Sequence, residues 1–381
     1  LFSSEFFFIA RKKMNPGGII VLTLPGSLTY ISPELRDLNG CILDTLKSIF
    51  KYVRIIPGDT NLYFASDSRS LEGVGASELV KRLEERKIKT SLFTKSYIEY
   101  RLHERWLNWF SKSMERKEVH INSDFRPLGV FFNLSYWNAL FSPYLSNVFK
   151  SFEKFGLGLF LGITLFLTAS LSILFLKKPL LSNYSLPYSI FTSGFADMML
   201  HLAIIFTFQT LYGYLYHQIG LLITVFMVGI ALSSFFITQR LDRIEKGYTL
   251  FLWTELSIIL FSILIPYVLT IPSHHLEKTS IYILLYATFL IMSFLCGILV
   301  GFQFPLATKI YLKTHSGEGR IGHTAGLLYG ADLFGGFFGG LFGGVLLLPV
   351  LGLKESCFMM AIIKMSSLIL FLIFLKIHKT K

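Results

Sequence analysis

The chain has 381 residues, of which 52% are hydrophobic and only 16% are charged, and its mean hydropathy is +0.56. An average soluble domain has roughly 25% charged residues, so this composition excludes a purely soluble globular protein and a disordered chain. The net charge is +12, but the basic residues lie in short loops or alternate with acids, which does not indicate nucleic-acid binding. The three cysteines, Cys41, Cys296 and Cys357, are far apart in apolar contexts, so we expect buried free thiols and no metal site.

Most charged residues precede residue 155, and long apolar stretches follow. We therefore predict a soluble part followed by a membrane part. The predicted segments are an α/β domain at 1–121, a linker and interfacial segment at 122–155, and a transmembrane helical domain at 156–381.

The predicted elements of the soluble part alternate between helix and strand. Ser3 or Ser4 can cap a first helix, which ends before Pro16 because proline disfavours helix in the preceding residue. Ser32 and Pro33 begin a second helix. The predicted segments are helices at 5–14 and 33–50, strands at 19–24, 52–56 and 62–65, and a helical region at 71–117.

The pattern of the strands predicts how they pair. Residues 19–24 form a short continuous apolar run, which is typical of a strand buried on both faces, as in a parallel sheet. The turn at 57–59 is so short that the two strands it joins must be antiparallel.

Three short motifs of the soluble part resemble the spermidine synthase (polyamine aminopropyltransferase) family. They are LFSSEFF at 1–7, PGG at 16–18 and PGDTN at 57–61. The resemblance implies the C-terminal part of a methyltransferase-like, Rossmann-like sheet. In that family the nucleotide-binding strands and the catalytic aspartate precede the first motif. The resemblance thus implies an N-terminally truncated fragment that has no catalytic residue and binds no cofactor. Decarboxylated S-adenosylmethionine would be the co-substrate of the full-length protein.

The amine-binding edge of such a domain would follow the apolar strand. Thr23, Ser27 and Tyr30 lie there and are the candidate substrate-binding residues, although Thr23 replaces a glutamine common in the family. The alternative is that all three are ordinary loop residues.

The segment after the soluble part carries a second resemblance. Asn122, Asp124, Arg126 and Pro127 precede an aromatic stretch, and this run resembles the junction of membrane-fused spermidine synthases. In those proteins a synthase-like domain is joined to a membrane domain of the major facilitator type. Aromatic rings are also favoured at the headgroup level of a bilayer.

Seven apolar stretches are long enough to span a bilayer, which takes about 20 residues of helix. We therefore predict a multi-pass integral protein of a cell or inner membrane, in direct contact with lipid. The stretches are 156–176, 188–211, 217–237, 249–271, 281–304, 324–350 and 356–376.

The loop charges predict the orientation of the membrane part. Most lysines and arginines in the loops of the membrane part follow the first, third, fifth and seventh stretches, which makes that side cytoplasmic. Seven spans then place the soluble part on the opposite side, whereas the S-adenosyl donor of the resembled family is cytoplasmic. The side of the soluble part therefore stays open.

The sixth stretch carries glycines at four-residue spacing on two neighbouring lines. Small residues at this spacing let helix backbones approach closely in lipid, so we predict a helix-packing face rather than a pore. The lines are Gly335, Gly339 and Gly343, and Gly336, Gly340 and Gly344.

Ionisable residues inside the apolar stretches are costly in lipid and are candidate functional residues. Asp197 and His201 are four apart and are expected to form a pair on one helix. One interpretation of the set is a path for protons or a small cationic amine. The other is pairing between helices, for example Lys364 with Asp332. The candidates are Asp197, His201, Glu255, Asp332 and Lys364.

Two functions follow from these patterns. The resemblance implies a membrane-integral spermidine synthase-like protein, whose full-length form transfers an aminopropyl group to an amine such as putrescine. The alternative is a major-facilitator-like transporter or polyamine-binding membrane protein with a degenerate or regulatory synthase-like domain. The sequence determines neither the amine nor the oligomeric state.

Overall fold

The computed structural model describes residues 2–71, 73–116, 118–142, 156–213, 216–270, 279–314 and 321–379. The chain separates into two compact units, Leu1–Phe152 and Glu153–Lys381. Residues 143–155 of the predicted linker lie outside the described residues, and the predicted domain boundaries stay predictions.

The first unit has the predicted order of helices and strands. Ser3 caps the first helix by accepting a hydrogen bond from the backbone N–H of Phe6, and Ser32 caps the second by accepting from that of Leu35. The elements are α1 (Ser4–Lys13), β1 (Ile20–Pro25), α2 (Pro33–Ile49), β2 (Tyr52–Ile56), β3 (Thr60–Ser66), α3 (Ala76–Glu85), α4 (Lys95–Arg101), α5 (Glu104–Ser113) and α6 (Leu128–Phe141).

The helical region predicted at 71–117 is three separate helices, α3, α4 and α5. The second and third of these helices each begin at a cap of their own. Thr94 accepts a hydrogen bond from the N–H of Tyr97 at the start of α4, and His103 accepts one from the N–H of Arg105 at the start of α5. Each cap residue has an extended backbone and so lies just outside the helix that it starts.

The sheet corrects the predicted fold class. It has three strands in the order β1-β3-β2, and both neighbouring pairs are antiparallel. The hairpin of β2 and β3 is confirmed, but this small sheet does not show a Rossmann-like fold. β1 has one neighbour and is covered on one side only: Leu22 and Leu24 are buried, whereas Val21 and Thr23 are exposed. An apolar run indicates a strand, but it does not show whether a second layer covers the other face.

The first unit buries its apolar side chains between the sheet, α1, α2 and α5. Phe7, Leu46 and Tyr63 are fully enclosed in this core. Cys41 is a buried free thiol, as expected, and burial raises the pKa of this thiol to about 12.

The described residues of the second unit form helices joined by short connections, and seven of these helical segments are long and apolar enough to cross a membrane. The predicted spans are confirmed, except that residue 271 lies outside the described residues. The helices are α7 (Leu157–Lys177), α8 (Ser185–Tyr212), α9 (Tyr216–Gln239), α10 (Gly247–Thr270), α11 (Thr279–Thr314), α12 (Ile321–Phe342), α13 (Leu348–Leu351) and α14 (Leu353–Lys379).

The sixth span is not one regular α-helix. A π-helical turn at Gly343–Leu347 separates α12 from the short α13. Pro349 has no N–H to donate to the carbonyl of Val345, so the regular hydrogen-bond ladder cannot continue there.

The two glycine lines of α12 differ in how closely they approach α8. A Cβ on Gly339 would lie 2.5 Å from the carbonyl oxygen of Phe195, and one on Gly335 would overlap the carbonyl of Phe191. A Cβ on Gly340 would be 3.5 Å from Met198, an ordinary contact. The line of Gly335, Gly339 and Gly343 is therefore the tight seam, and that of Gly336, Gly340 and Gly344 lies beside it.

Candidate functional site

A fully buried ion pair joins the fourth and seventh spans. The Lys364 ammonium on α14 lies 2.6 Å from Glu255 Oε1 on α10, and both side chains are 0% exposed. Charges are expensive to bury without partners, so a pair in this position needs further polar groups around it.

Two more helices supply those polar groups. Ser193 Oγ on α8 accepts a hydrogen bond from Lys364 Nζ at 2.8 Å, and it donates to the side-chain oxygen of Gln303 on α11. Gln303 Nε2 in turn donates to Glu255 Oε1 at 2.9 Å. Four helices thus meet at one cluster of Ser193, Glu255, Gln303 and Lys364, which we call the ion-pair cluster.

The Glu255 carboxylate is only half satisfied. Oε1 accepts hydrogen bonds from both Lys364 and Gln303. Oε2 is buried and accepts none from the described part of the chain. A buried acceptor without a donor costs free energy, so a group that offers an N–H or a proton to this oxygen would be bound favourably.

The structure does not pair Asp197 with His201. Asp197 Oδ1 accepts a weak hydrogen bond from Cys296 Sγ at 3.4 Å, whereas the His201 ring stacks on Phe226 with 4.0 Å between centroids. His201 Nε2 is buried and has no hydrogen-bond partner among the described residues.

The geometry of α8 explains this separation. Ser189, Ser193, Asp197 and His201 follow one another at four-residue spacing. Each step of four turns a side chain by about 40° beyond a full circle, so successive residues drift around the helix. Ser189 therefore reaches Ser367 on α14, Asp197 reaches α11 and His201 reaches α9.

Lys364 does pair between helices, but its partner is not Asp332, the example that the sequence suggested. Lys364 pairs with Glu255, and Asp332 lies on the α12 seam against α8. A Cβ on Gly194 would lie 2.8 Å from Asp332 Oδ1, so the missing side chain at Gly194 makes room for this carboxylate.

The candidate amine-binding residues of the first unit lie on β1 and in the turn that follows it. Thr23 is exposed on β1, opposite Leu62 of β3. Ser27 Oγ accepts hydrogen bonds from the N–H groups of Thr29 and Tyr30, which makes it the organiser of a local turn. Tyr30 is 70% exposed. Their predicted role in binding stays a prediction.

Sequence reasoning selected Glu255 and Lys364 but missed Ser193. The signal was present, because Ser193 lies in the four-residue series that leads to Asp197 and His201. A serine inside an apolar helix is so common that this spacing alone does not indicate a site.

Comparison with known families identifies the membrane unit. Residues 188–381, just over half of the chain, match the model of the Major Facilitator Superfamily. The chain therefore belongs to the Major Facilitator Superfamily. The match begins within α8 and includes six spans, among them the four helices that hold the ion-pair cluster. Membership in this superfamily and the seven spans confirm a multi-pass integral membrane protein.

The superfamily match lies within the membrane unit and does not support the resemblance to spermidine synthases. None of the comparisons supports a synthase or a polyamine-biosynthesis function for the chain. No curated protein and no solved structure matches it.

Proposed function

We propose that this protein is a transporter-like membrane protein that binds a small cationic amine at Glu255. The observation that carries the proposal is the fully buried Glu255 carboxylate at the meeting point of four helices, one oxygen of which has no partner among the described residues. Intramembrane carboxylates that face a bundle interior are typical of substrate and ion paths.

The position of the ion-pair cluster supports this proposal. Six-helix halves of major facilitator transporters consist of two inverted three-helix repeats, and solute sites lie near the midplane where repeats meet. In the matched region, α8, α9 and α10 form the first set of three spans, and α11, α12 with α13, and α14 form the second. Glu255 comes from the first set and Lys364 from the second, so their ion pair bridges the two.

The intramembrane charges favour a cation over an anion. Away from the ends of the described helices, the ionisable residues of the spans are three acids, one lysine and one histidine: Asp197, Glu255, Asp332, Lys364 and His201. The other lysines of these helices lie toward the helix ends. A cationic amine offers the N–H donors that the unpartnered Glu255 oxygen lacks.

Binding of labelled putrescine to the detergent-purified protein tests this assignment. Glu255→Gln keeps the shape of the side chain and removes its charge. We expect binding to weaken by about tenfold or more, because a hydrogen bond to a charged group contributes about 1.5–3 kcal/mol. Glu355→Gln makes the same chemical change at an exposed residue of α14 and is the matched control. Equal binding by the Glu255→Gln variant and the wild type would contradict the assignment.

For the first unit we propose a degenerate or regulatory spermidine-synthase-like domain. The three sequence motifs support it, and so does the strand direction. β1 and β2 are both antiparallel to β3 and thus run the same way, with α2 between them. The binding experiment also shows which unit binds the amine. Putrescine binding that survives Glu255→Gln but is lost on Tyr30→Ala would place the amine at the first unit.

A further inference from the structure

The Lys364 side chain is itself a bound primary alkylammonium. Four methylene groups lead to its ammonium group, and the whole side chain is buried. The ammonium donates to Glu255 Oε1 at 2.6 Å and to Ser193 Oγ at 2.8 Å. The ion-pair cluster therefore already provides the acceptors that an unbranched primary amine requires.

We propose that the ammonium position of Lys364 is the solute site itself, which Lys364 occupies as a tethered competitor, and that the site takes unbranched primary alkylammonium ions. This inference rests on the proposed function and names its substrate class. An incoming solute displaces the Lys364 ammonium, takes over its hydrogen bonds to Glu255 and Ser193, and is released when Lys364 returns.

Because of the charge of the ion-pair cluster, the Lys364 ammonium and a cationic solute cannot both bind Glu255 at the same time. Glu255 supplies a single negative charge, and the described groups in hydrogen-bond contact with it, Lys364 and Gln303, add only one positive charge. A second cation at the same carboxylate would leave an uncompensated charge inside the bundle, which is strongly unfavourable. The solute and Lys364 therefore compete for Glu255.

The hydrogen-bond geometry also excludes cations that have no N–H donors. Ser193 Oγ and Glu255 Oε1 both accept from one nitrogen, which must carry at least two N–H donors. A primary ammonium has three donors, whereas a quaternary ammonium has none. Tetramethylammonium has the same charge without the donors and is the matched control ligand.

Chemical rescue of Lys364→Ala tests this inference. The substitution removes the ammonium and most of the methylene chain, and leaves Glu255 without its cation. We expect a lower midpoint of thermal unfolding than in the wild type, and a saturable recovery when n-propylammonium, which matches the removed atoms, is added. Tetramethylammonium should give no recovery. Because Lys364 no longer competes, this variant should bind n-propylammonium about tenfold or more tightly than the wild type does.

Two further variants keep the test decisive. In Glu255→Gln/Lys364→Ala the carboxylate is gone, so n-propylammonium should no longer stabilise the protein. Lys313→Ala, at an exposed lysine near the end of α11, should respond to the amine as the wild type does. If Lys364→Ala does not fold, Lys364→Met fills the space of the methylene chain and the ammonium ion replaces n-propylammonium in the titration.

The outcomes distinguish this inference from the proposed function. No recovery with either amine, equal recovery with tetramethylammonium, or recovery that persists without the Glu255 carboxylate would overturn the inference. Failure of the wild type to move any amine across a membrane would overturn the proposed function, but it would not affect a saturable rescue. Transport that depends on Glu255 without rescue would overturn the inference alone.

Discussion

Removing one member of the Glu255–Lys364 pair is expected to destabilise the membrane unit by about 3–5 kcal/mol, because the remaining charge stays buried without its partner. Lys364→Met and Glu255→Gln should each show this loss in the free energy of unfolding in mixed detergent micelles. Both side chains are fully buried, so solvent cannot screen the unpaired charge.

The double variant Glu255→Gln/Lys364→Met separates charge from packing. It removes both charges together, and we expect it to recover most of the stability lost in either single variant, since neutral replacements of a buried pair are often tolerated. Glu355→Gln, at an exposed position, should leave stability unchanged. If Lys364→Met alone is as stable as the wild type, the pair is not buried as described.

The second large effect is expected at the glycine seam between α12 and α8. In Gly339→Leu, the Cβ of the new leucine would lie 2.5 Å from the carbonyl oxygen of Phe195. This oxygen belongs to the backbone, which cannot move aside as a side chain can. We expect a loss of about 1–3 kcal/mol or more, measured by the same unfolding experiment.

Two glycines of the same helix serve as controls. A Cβ on Gly330 would meet nothing within 4 Å, so Gly330→Leu should be neutral or slightly stabilising, because leucine favours helix over glycine. Gly340→Leu would meet only the flexible end of Met198 and should fall between the two. A Gly339→Leu variant no less stable than Gly330→Leu would show that this line is not the close contact.

Much of the local structure follows from the sequence. Ser3, Ser32 and the turn at 57–59 act through neighbouring residues, so their helix starts and hairpin could be predicted. The spans follow from the length of apolar runs alone. The burial of β1 did not follow, because it depends on whether another layer covers Val21 and Thr23, and no property of the strand itself determines that.

Residues of the candidate site could be predicted from the sequence, but the contacts between them could not. Ionisable residues inside apolar helices stand out, so Glu255 and Lys364 could be chosen from the sequence. Their pairing could not, because the two residues are 109 positions apart and the rotation of each helix about its axis decides which partner it meets. The same rotation separates Asp197 from His201, although their spacing predicted a pair.

The glycines of α12 are a second case in which the sequence predicts a feature but not its exact position. The spacing predicted a packing face on α12, and the structure places that face against α8. Two adjacent lines have the same spacing, however, and only the packed structure distinguishes Gly339 in the seam from Gly340 beside it.

Uptake of labelled putrescine into liposomes that contain the purified full chain tests most directly whether Glu255 binds a cationic solute for transport. We expect uptake by the wild type and by Glu355→Gln, and at least about tenfold lower uptake by Glu255→Gln, whose side chain cannot hold a cation by charge. Equal uptake by all three proteins, or no uptake by the wild type above protein-free liposomes, would contradict the claim that Glu255 binds a cationic solute for transport.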